Sequence, residues 1–124
     1  MRYHDRMGFK DWVKDAPVAT FGNVTLRKYR IQKLDGFKKE EHPLDGVTVR
    51  VESGSEIDSR ITATRLIALG VFALAAKKKT GGEAYLTVEG TDFMWVIDVD
   101  RKKKPDAIKF AHTFTSHIKT LPAH

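Results

Sequence analysis

The alternation of apolar and polar residues along the chain predicts a mainly β protein. In residues 47–52 every second residue is a valine, and the residues between the valines are Thr48, Arg50 and Glu52. A period of two places the valines on one face of a strand and the polar side chains on the other. This segment is therefore predicted to be a half-buried strand.

Two further strands are predicted between residues 84 and 99, on either side of the turn sequence Gly90-Thr91-Asp92. The strand at 84–89 directs Leu86 and Val88 to one face. The next strand carries large apolar residues on one face, namely Phe93, Trp95, Ile97 and Val99.

A first hairpin is predicted closer to the N-terminus. Val24, Leu26 and Ile31 lie around the basic stretch Arg27-Lys28-Tyr29-Arg30. The dipeptide Asp35-Gly36 that follows favours a tight hairpin turn.

The segment 60–79 is ambiguous between helix and strand. Its alanines and leucines, its terminal lysines and the glycine after them suit a helix with a C-terminal cap. Three β-branched residues near its start favour a strand instead. Gly70 lies between two apolar runs, where it would cost a helix about 1 kcal/mol. We therefore predict a polar loop at 54–59 and two strands, 60–69 and 71–78.

The C-terminal segment predicts one amphipathic helix. Pro105 occupies a natural first helical position, and Pro122 ends the element. Apolar residues recur on one stripe at helical spacing, namely Ala107, Phe110, Ala111, Phe114, Ile118 and Leu121. We expect this helix to pack on the sheet as its only available cover.

These elements add up to a mainly β fold of about seven antiparallel strands, a roll or barrel capped by the C-terminal helix. The length of 124 residues fits one domain, which we place at residues 20–121. Residues 1–19 are predicted to form a flap with a short helical turn near Phe9–Val13. An alternative is that its aromatic residues anchor a partner.

Composition excludes several classes of protein and site. The apolar fraction of 41% and the charged fraction of 31% are typical of a globular domain. The absence of cysteine excludes disulfides, thiolate metal sites and cysteine nucleophiles. The charged N-terminus predicts no signal peptide, and the longest apolar run, Leu66 to Ala76, is too short to span a bilayer. We expect a cytoplasmic protein.

Four segments resemble the small pleckstrin-homology-like (PH-like) proteins of actinobacteria and their phages, and the element order is similar to that superfold. The segments are His42-Pro43-Leu44-Asp45-Gly46-Val47, Ile61-Thr62-Ala63-Thr64-Arg65-Leu66, Leu69-Gly70 to Lys79, and Tyr85-Leu86-Thr87-Val88-Glu89-Gly90. PH-like folds serve as docking platforms for lipids, peptides or proteins. The resemblance thus implies a non-enzymatic adaptor.

Members of that group often carry a short helical C-terminal module, SHOCT, that is thought to mediate association. The sequence has no such module before His124. The resemblance therefore leaves homo-oligomerisation open.

The net charge of +6 favours partners with an anionic surface, although a charge of this size also simply maintains solubility. Two basic clusters stand out, Lys77-Lys78-Lys79 and Arg101-Lys102-Lys103-Lys104. If residues 71–99 form a three-stranded meander, both clusters lie at one end of the sheet, about 10 Å apart. Together they would form a rim that binds phosphate groups. The competing interpretation is that they are solvated lysines that protect strand ends from aggregation.

Lys28 and Arg30 form a third candidate anion site. The triplet Lys28-Tyr29-Arg30 resembles the basic K-x-R pattern with which some eukaryotic PH domains hold inositol phosphates. A basic triplet is also common in any chain this charged. Lys28 and Arg30 are retained as candidate binding residues for a protein partner or an anionic membrane.

No pattern in the sequence indicates catalysis, a cofactor or a metal. Asp98 and Asp100 share a strand face, but they precede four basic residues and no third ligand accompanies them. His112 and His117 point about 140° apart around the predicted helix. Nucleotide-binding loops and a serine nucleophile motif are absent. We predict no enzyme activity.

Nucleic-acid binding is the alternative function. Basic residues are interspersed with Tyr29, Tyr85 and Trp95, which could stack on bases. Trp95 shares a face with Phe93 and is expected to fill the core instead. We therefore place a protein partner first, an anionic lipid surface at the membrane periphery second, and nucleic acid third.

Overall fold

The computed structural model describes residues 16–69 and 84–121. These residues contain seven strands in two antiparallel sheets and a long C-terminal helix. The predicted fold class, mainly β with antiparallel strands and one C-terminal helix, is confirmed. The chain forms two compact units, and the boundary between them lies between Leu44 and Asp45.

The first unit contains a four-stranded sheet in the order β1-β2-β3-β4. Neighbouring strands are antiparallel, and strands that are neighbours in the sheet are also consecutive in the sequence. The strands are β1 (Ala19–Phe21), β2 (Val24–Leu26), β3 (Arg30–Asp35) and β4 (Lys38–Pro43).

Glycines lie in two of the three tight turns of this sheet. Gly36 has φ +61° and joins β3 to β4, so the hairpin turn predicted at Asp35-Gly36 is confirmed. Gly22 has φ +57° and joins β1 to β2, a hairpin that the sequence interpretation missed. Positive φ values are readily adopted by glycine, which has no Cβ.

One face of the first sheet is apolar. Val24, Leu26 and Ile31 are fully buried, and Leu26 lies directly opposite Ile31 across β2 and β3. The apolar residues that flank the basic stretch therefore belong to a core.

The second unit contains a three-stranded antiparallel sheet in the order β5-β6-β7. Val49 lies opposite Val88, and Val88 lies opposite Trp95 on the next strand. The strands are β5 (Thr48–Ser53), β6 (Ala84–Glu89) and β7 (Met94–Val99). The strands predicted at 47–52, at 84–89 and after Gly90 are confirmed.

The C-terminal helix is also confirmed, and it forms α3 (Lys104–Thr120) of the structure. Pro105 lies in its first turn. Ala107, Phe110 and Phe114 are buried, and the helix packs on β5 and β6. The predicted apolar stripe therefore attaches the helix to the sheet.

The loop predicted at 54–59 and the strand predicted at 60–69 are wrong. The chain forms two short helices there, α1 (Gly54–Arg60) and α2 (Ala63–Ala68). Side-chain caps start both helices, and the β-branched Thr62 serves as the N-cap of α2. The residues of the other predicted strand, 71–78, and those of the predicted N-terminal turn at 9–13 lie outside the described part of the chain.

These two helices cover the second face of the β5-β6-β7 sheet. Ile57, Ile61 and Leu66 pack in one cluster with Tyr85 of β6 and Met94 of β7. The expectation that the C-terminal helix is the only cover is therefore wrong. Because helices lie on both faces, the four central residues of β6 are all buried.

Candidate functional site

The segment Arg101–Lys104 connects β7 to α3 and is the most basic part of the described chain. Arg101–Lys103 forms a single 3-10 turn, closed by a hydrogen bond of 2.8 Å that the Lys103 N–H donates to the Asp100 carbonyl. Lys104 then begins the long helix. All four basic residues are exposed.

The four cations of this segment have no acidic partner among the described residues. Arg30, Lys33, Lys39 and Arg60 each lie within 4.0 Å of a carboxylate. Within residues 16–69 and 84–121, no salt bridge involves Arg101, Lys102, Lys103 or Lys104. Their charges therefore face water and are available to an external anion.

The three-stranded meander predicted for residues 71–99 is wrong. Strand β6 pairs with β5 along one edge and with β7 along the other, over six residues on each side. The valine-rich strand thus occupies the position that the sequence interpretation gave to residues 71–78. The predicted distance of about 10 Å between the two basic clusters assumed that meander and therefore no longer follows. Lys77, Lys78 and Lys79 lie outside the described residues.

The turn between β2 and β3 holds the third candidate pair, Lys28 and Arg30. The Arg27 N–H donates a hydrogen bond of 2.8 Å to the Arg30 carbonyl and closes the turn. The Lys28 ammonium lies 5.3 Å from the centre of the Tyr29 ring, within the range of a cation–π contact. Tyr29 itself is 58% exposed, so this turn presents an aromatic ring between cations.

Glu41 partly neutralises the basic turn. Its carboxylate lies 3.2 Å from Arg30 Nε and also accepts a hydrogen bond from the Gln32 amide. Gln32 in turn accepts a hydrogen bond of 2.9 Å from Arg27 Nε. The bond from Gln32 and the neighbouring cations hold the pKa of Glu41 below its usual range.

Sequence analysis missed this network because Glu41 lies on a different strand from Arg30 and Gln32. Register explains the contact, since Gln32 lies directly opposite Glu41 across β3 and β4. Arg30 is therefore engaged within the sheet, whereas Lys28 contacts the Tyr29 ring at the exposed tip of the turn.

Of the three aromatic residues considered for base stacking, only Tyr29 is exposed. Tyr85 and Trp95 are each 3% exposed. The Trp95 ring lies 5.1 Å from that of Phe93, tilted by 55°. The prediction that Trp95 fills the core is confirmed.

An open groove of about 360 Å³ runs between β5 and α3. Its lining is mostly apolar, and His112 is the one lining residue with an ionisable side chain. The lining residues are Val49, Val51, Ile108, Ala111, His112 and Thr115. These lining residues include no pair of acidic and basic side chains that could transfer protons in a reaction.

The carboxylates that the sequence offers as metal ligands lie apart from any third ligand in the described residues. Asp98 and Asp100 are both exposed. Across the described residues, no group of three or more histidine, aspartate or glutamate side chains is placed to hold a metal ion.

Comparisons with protein-family models, with curated proteins and with solved structures found no match to this chain. Among the described residues, no helix is both long and apolar enough to cross a membrane.

Proposed function

We propose that this protein is a non-enzymatic docking module of PH-like type that binds an anionic surface, on a membrane or on a protein partner, through Arg101–Lys104. The observation that carries the proposal is the exposure of four consecutive cations without an acidic partner among the described residues. Each lysine or arginine close to an anionic membrane contributes about 1 kcal/mol to binding. Such a segment also increases the rate of association with an acidic protein.

The position of the segment in the fold supports a docking role. The 3-10 turn follows the last strand directly, and α3 packs on the same sheet. The four charges are therefore presented by a short turn between two packed elements, which lowers the entropy lost on binding.

The second lysine cluster is included in the proposal on grounds of chain order. Ala84, which begins β6, lies directly opposite Val99, which ends β7. Lys79 precedes Ala84 by five residues, and Arg101 follows Val99 by two. The chain therefore enters β6 and leaves β7 at the same end of the sheet, with a basic cluster close in sequence at each point.

The PH-like assignment is part of the proposal. Seven antiparallel strands followed by a C-terminal helix support it. One of the segments that carry the resemblance, Ile61–Leu66, lies mostly in α2. The assignment therefore relies on the remaining segments and on the order of the strands. A cytoplasmic location at the membrane periphery belongs to the same proposal.

The test is co-sedimentation with phosphatidylcholine vesicles prepared with and without phosphatidylglycerol. The double variant Lys102→Glu, Lys103→Glu should bind the anionic vesicles at least tenfold more weakly than the wild type, because two favourable charges become unfavourable. A matched control is Lys109→Glu, Lys119→Glu, which changes the net charge equally but places both changes within α3. The control should retain most of the binding.

A parallel pull-down with both variants distinguishes a membrane from an acidic protein as the docking surface. Loss of one specific partner in the first variant, with vesicle binding unchanged, would favour a protein. Equal behaviour of the two variants towards vesicles and partners would reject Arg101–Lys104 as the docking segment.

Nucleic-acid binding is the second candidate, and the exposed Tyr29 between Lys28 and Arg30 favours it. An exposed ring with adjacent cations is suited to stack on a base and to contact the phosphates beside it. Affinity for single-stranded DNA should then fall steeply with salt, because each phosphate contact releases a counterion. Tyr29→Ala should weaken that binding, while an absence of binding at low salt would eliminate this candidate.

A further inference from the structure

The outer part of the hairpin of β3 and β4 is exposed to solvent on both of its faces. Every residue from Leu34 to Glu41 is exposed, although the two strands remain in regular register up to Asp35 and Lys38. Phe37 lies in the two-residue turn between the strands and is fully exposed. A regular hairpin thus carries a large aromatic ring at its tip without any cover for that ring.

Side-chain contacts hold this tip in place. The Asn23 amide donates hydrogen bonds of 2.8 Å to the Leu34 carbonyl and 3.0 Å to Asp35 Oδ1. Lys33 Nζ lies 3.3 Å from Asp35 Oδ2. Gly36, with φ +61°, allows the tight turn itself. The exposed ring is therefore presented by a fixed turn, so that little conformational freedom is lost if it binds.

Two lysines lie next to the ring in the chain. Lys38 and Lys39 follow Phe37 directly, and both are exposed. The nearest acid, Asp35, is already held by Asn23 and Lys33. Glu40 and Glu41 lie further from the tip, where His42 contacts Glu40 at 2.8 Å. Glu41 contacts Arg30 at 3.2 Å and Lys39 at 3.5 Å. The tip therefore combines an apolar ring with Lys38, which has no salt bridge among the described residues, and with Lys39, whose acidic partner Glu41 also pairs with Arg30.

We infer that this tip is a membrane anchor, in which Phe37 enters the interfacial layer of an anionic bilayer while Lys38 and Lys39 contact lipid headgroups. The inference rests on the proposed function and specifies an anionic membrane as the surface. An aromatic ring gains free energy by leaving water for the interface, and adjacent lysines add electrostatic attraction to acidic lipids.

The shape of the hairpin favours a membrane over a nucleic acid. Stacking on a single strand uses several aromatic residues along a groove, whereas the tip carries one ring on a convex turn. Tyr29 lies at the opposite end of β3, about 20 Å away at roughly 3.4 Å per residue. A bilayer surface accepts a single convex apolar tip without a matching pocket.

The decisive variant is Phe37→Ala, because a fully exposed ring can be removed with little effect on folding. It should bind phosphatidylcholine–phosphatidylglycerol vesicles about tenfold more weakly than the wild type, the loss expected for partial burial of one phenyl ring. Ile67→Ala is the matched control, since Ile67 is also apolar, 49% exposed and located on α2. The control should bind as the wild type does.

A second variant tests insertion directly. Phe37→Trp places an indole at the tip in addition to the native Trp12 and Trp95. Vesicles of brominated lipid should quench its fluorescence more strongly than that of the wild-type protein. Lys38→Glu should weaken binding at low salt and have a smaller effect at high salt, because salt screens exposed charges.

The outcomes separate this inference from the docking role of Arg101–Lys104. If Phe37→Ala binds vesicles normally while Lys102→Glu, Lys103→Glu does not, the proposed function stands and the membrane anchor is rejected. If Phe37→Ala weakens binding to single-stranded DNA but not to vesicles, the tip belongs to a nucleic-acid site instead. Absence of vesicle binding by the wild type would reject both membrane proposals.

Discussion

Arg60 and Glu52 form a two-point ion pair that joins the end of α1 to β5. Arg60 Nε donates to Glu52 Oε2 at 2.8 Å, and Nη2 donates to Oε1 at 2.7 Å. The third guanidinium nitrogen donates to Glu89 Oε1 on β6 at 2.6 Å. Thr87 adds a hydroxyl hydrogen bond of 2.8 Å to Glu52. One arginine therefore attaches the helix to two neighbouring strands.

Removal of Arg60 should lower the free energy of unfolding by about 2 kcal/mol. Glu52 is 8% exposed, so Arg60→Ala leaves a nearly buried carboxylate without its main partner. The loss should be smaller than for a fully buried pair, because the Arg60 side chain is itself 28% exposed. Urea unfolding at neutral pH measures the difference.

Arg30→Ala provides the comparison for this prediction. Arg30 and Glu41 form an ion pair whose side chains are 35% and 36% exposed. Exposed pairs of this kind contribute less than about 1 kcal/mol. If both variants lose the same free energy of unfolding, the contacts of Arg60 with the sheet contribute no more than an exposed ion pair does.

Glu52 should make stability depend on pH in the acid range. Burial raises the pKa of Glu52, but hydrogen bonds from Arg60 and Thr87 and the nearby positive charge outweigh that effect and leave the pKa below the ordinary value of 4.5. The unfolded chain therefore binds a proton at Glu52 more readily than the folded protein does. This contribution to stability is fully present above about pH 5 and is lost as the pH falls through the lowered pKa.

Thermal unfolding at neutral pH and at about pH 3 tests this assignment. Glu52→Gln should be less stable than the wild type at neutral pH, and the gap should narrow in acid. A constant gap between the two proteins across this range would mean that ionisation of Glu52 does not govern the acid response.

The sequence predicted those strands and helices whose apolar residues recur at the spacing of their buried face. Val49 and Val51 alternate as a strand with one covered face requires, and Phe110 and Phe114 are spaced as a packed helix requires. The β6 strand was also located, although Tyr85 and Thr87 on its second face are buried too. That second face could not be predicted, because its cover consists of helices that had been assigned to a loop and a strand.

The helix α2 was missed because its local cap outweighed intrinsic propensity, and α1 was missed because its polar residues were assigned to a loop. The β-branched Thr62 suggested a strand, but its hydroxyl accepts a hydrogen bond of 3.1 Å from the Arg65 N–H and starts α2. Ser53 and Glu56 have the spacing of a capping box, and this signal was present in the sequence. A search for caps before propensity would have found α1.

The candidate site was predicted only in part for a similar reason. The exposure of Arg101–Lys104 follows from four consecutive cations, which the sequence displays directly. The engagement of Arg30 by Glu41 depends on the register between β3 and β4, and the position of Phe37 depends on the two-residue length of the turn. Neither can be derived before the hairpin register is known.

Ser53 should be a measurable contributor to stability through the cap of α1. Its hydroxyl accepts a hydrogen bond of 3.1 Å from the Glu56 N–H, while the Glu56 carboxylate accepts one of 2.7 Å from the Ser53 N–H. Ser53→Ala should cost about 1 kcal/mol in urea unfolding. Ser59→Ala is the control, because Ser59 bonds only the preceding turn of the helix and should change stability little. A similar effect of both substitutions would argue against the capping contribution.

Gly90 should tolerate no side chain, because the Phe93 ring occupies the space beside its Cα. A Cβ added at Gly90 would overlap one ring carbon of Phe93 and would lie 2.6 Å from another. Phe93 is 7% exposed and packs against Trp95, so the ring has little room to move. Gly90→Ala should therefore lower stability by about 2 kcal/mol through overpacking, measured by thermal or urea unfolding. The double variant Gly90→Ala, Phe93→Leu should be less destabilised than the two single changes together predict, because the smaller side chain relieves the clash; simple additivity would contradict this explanation.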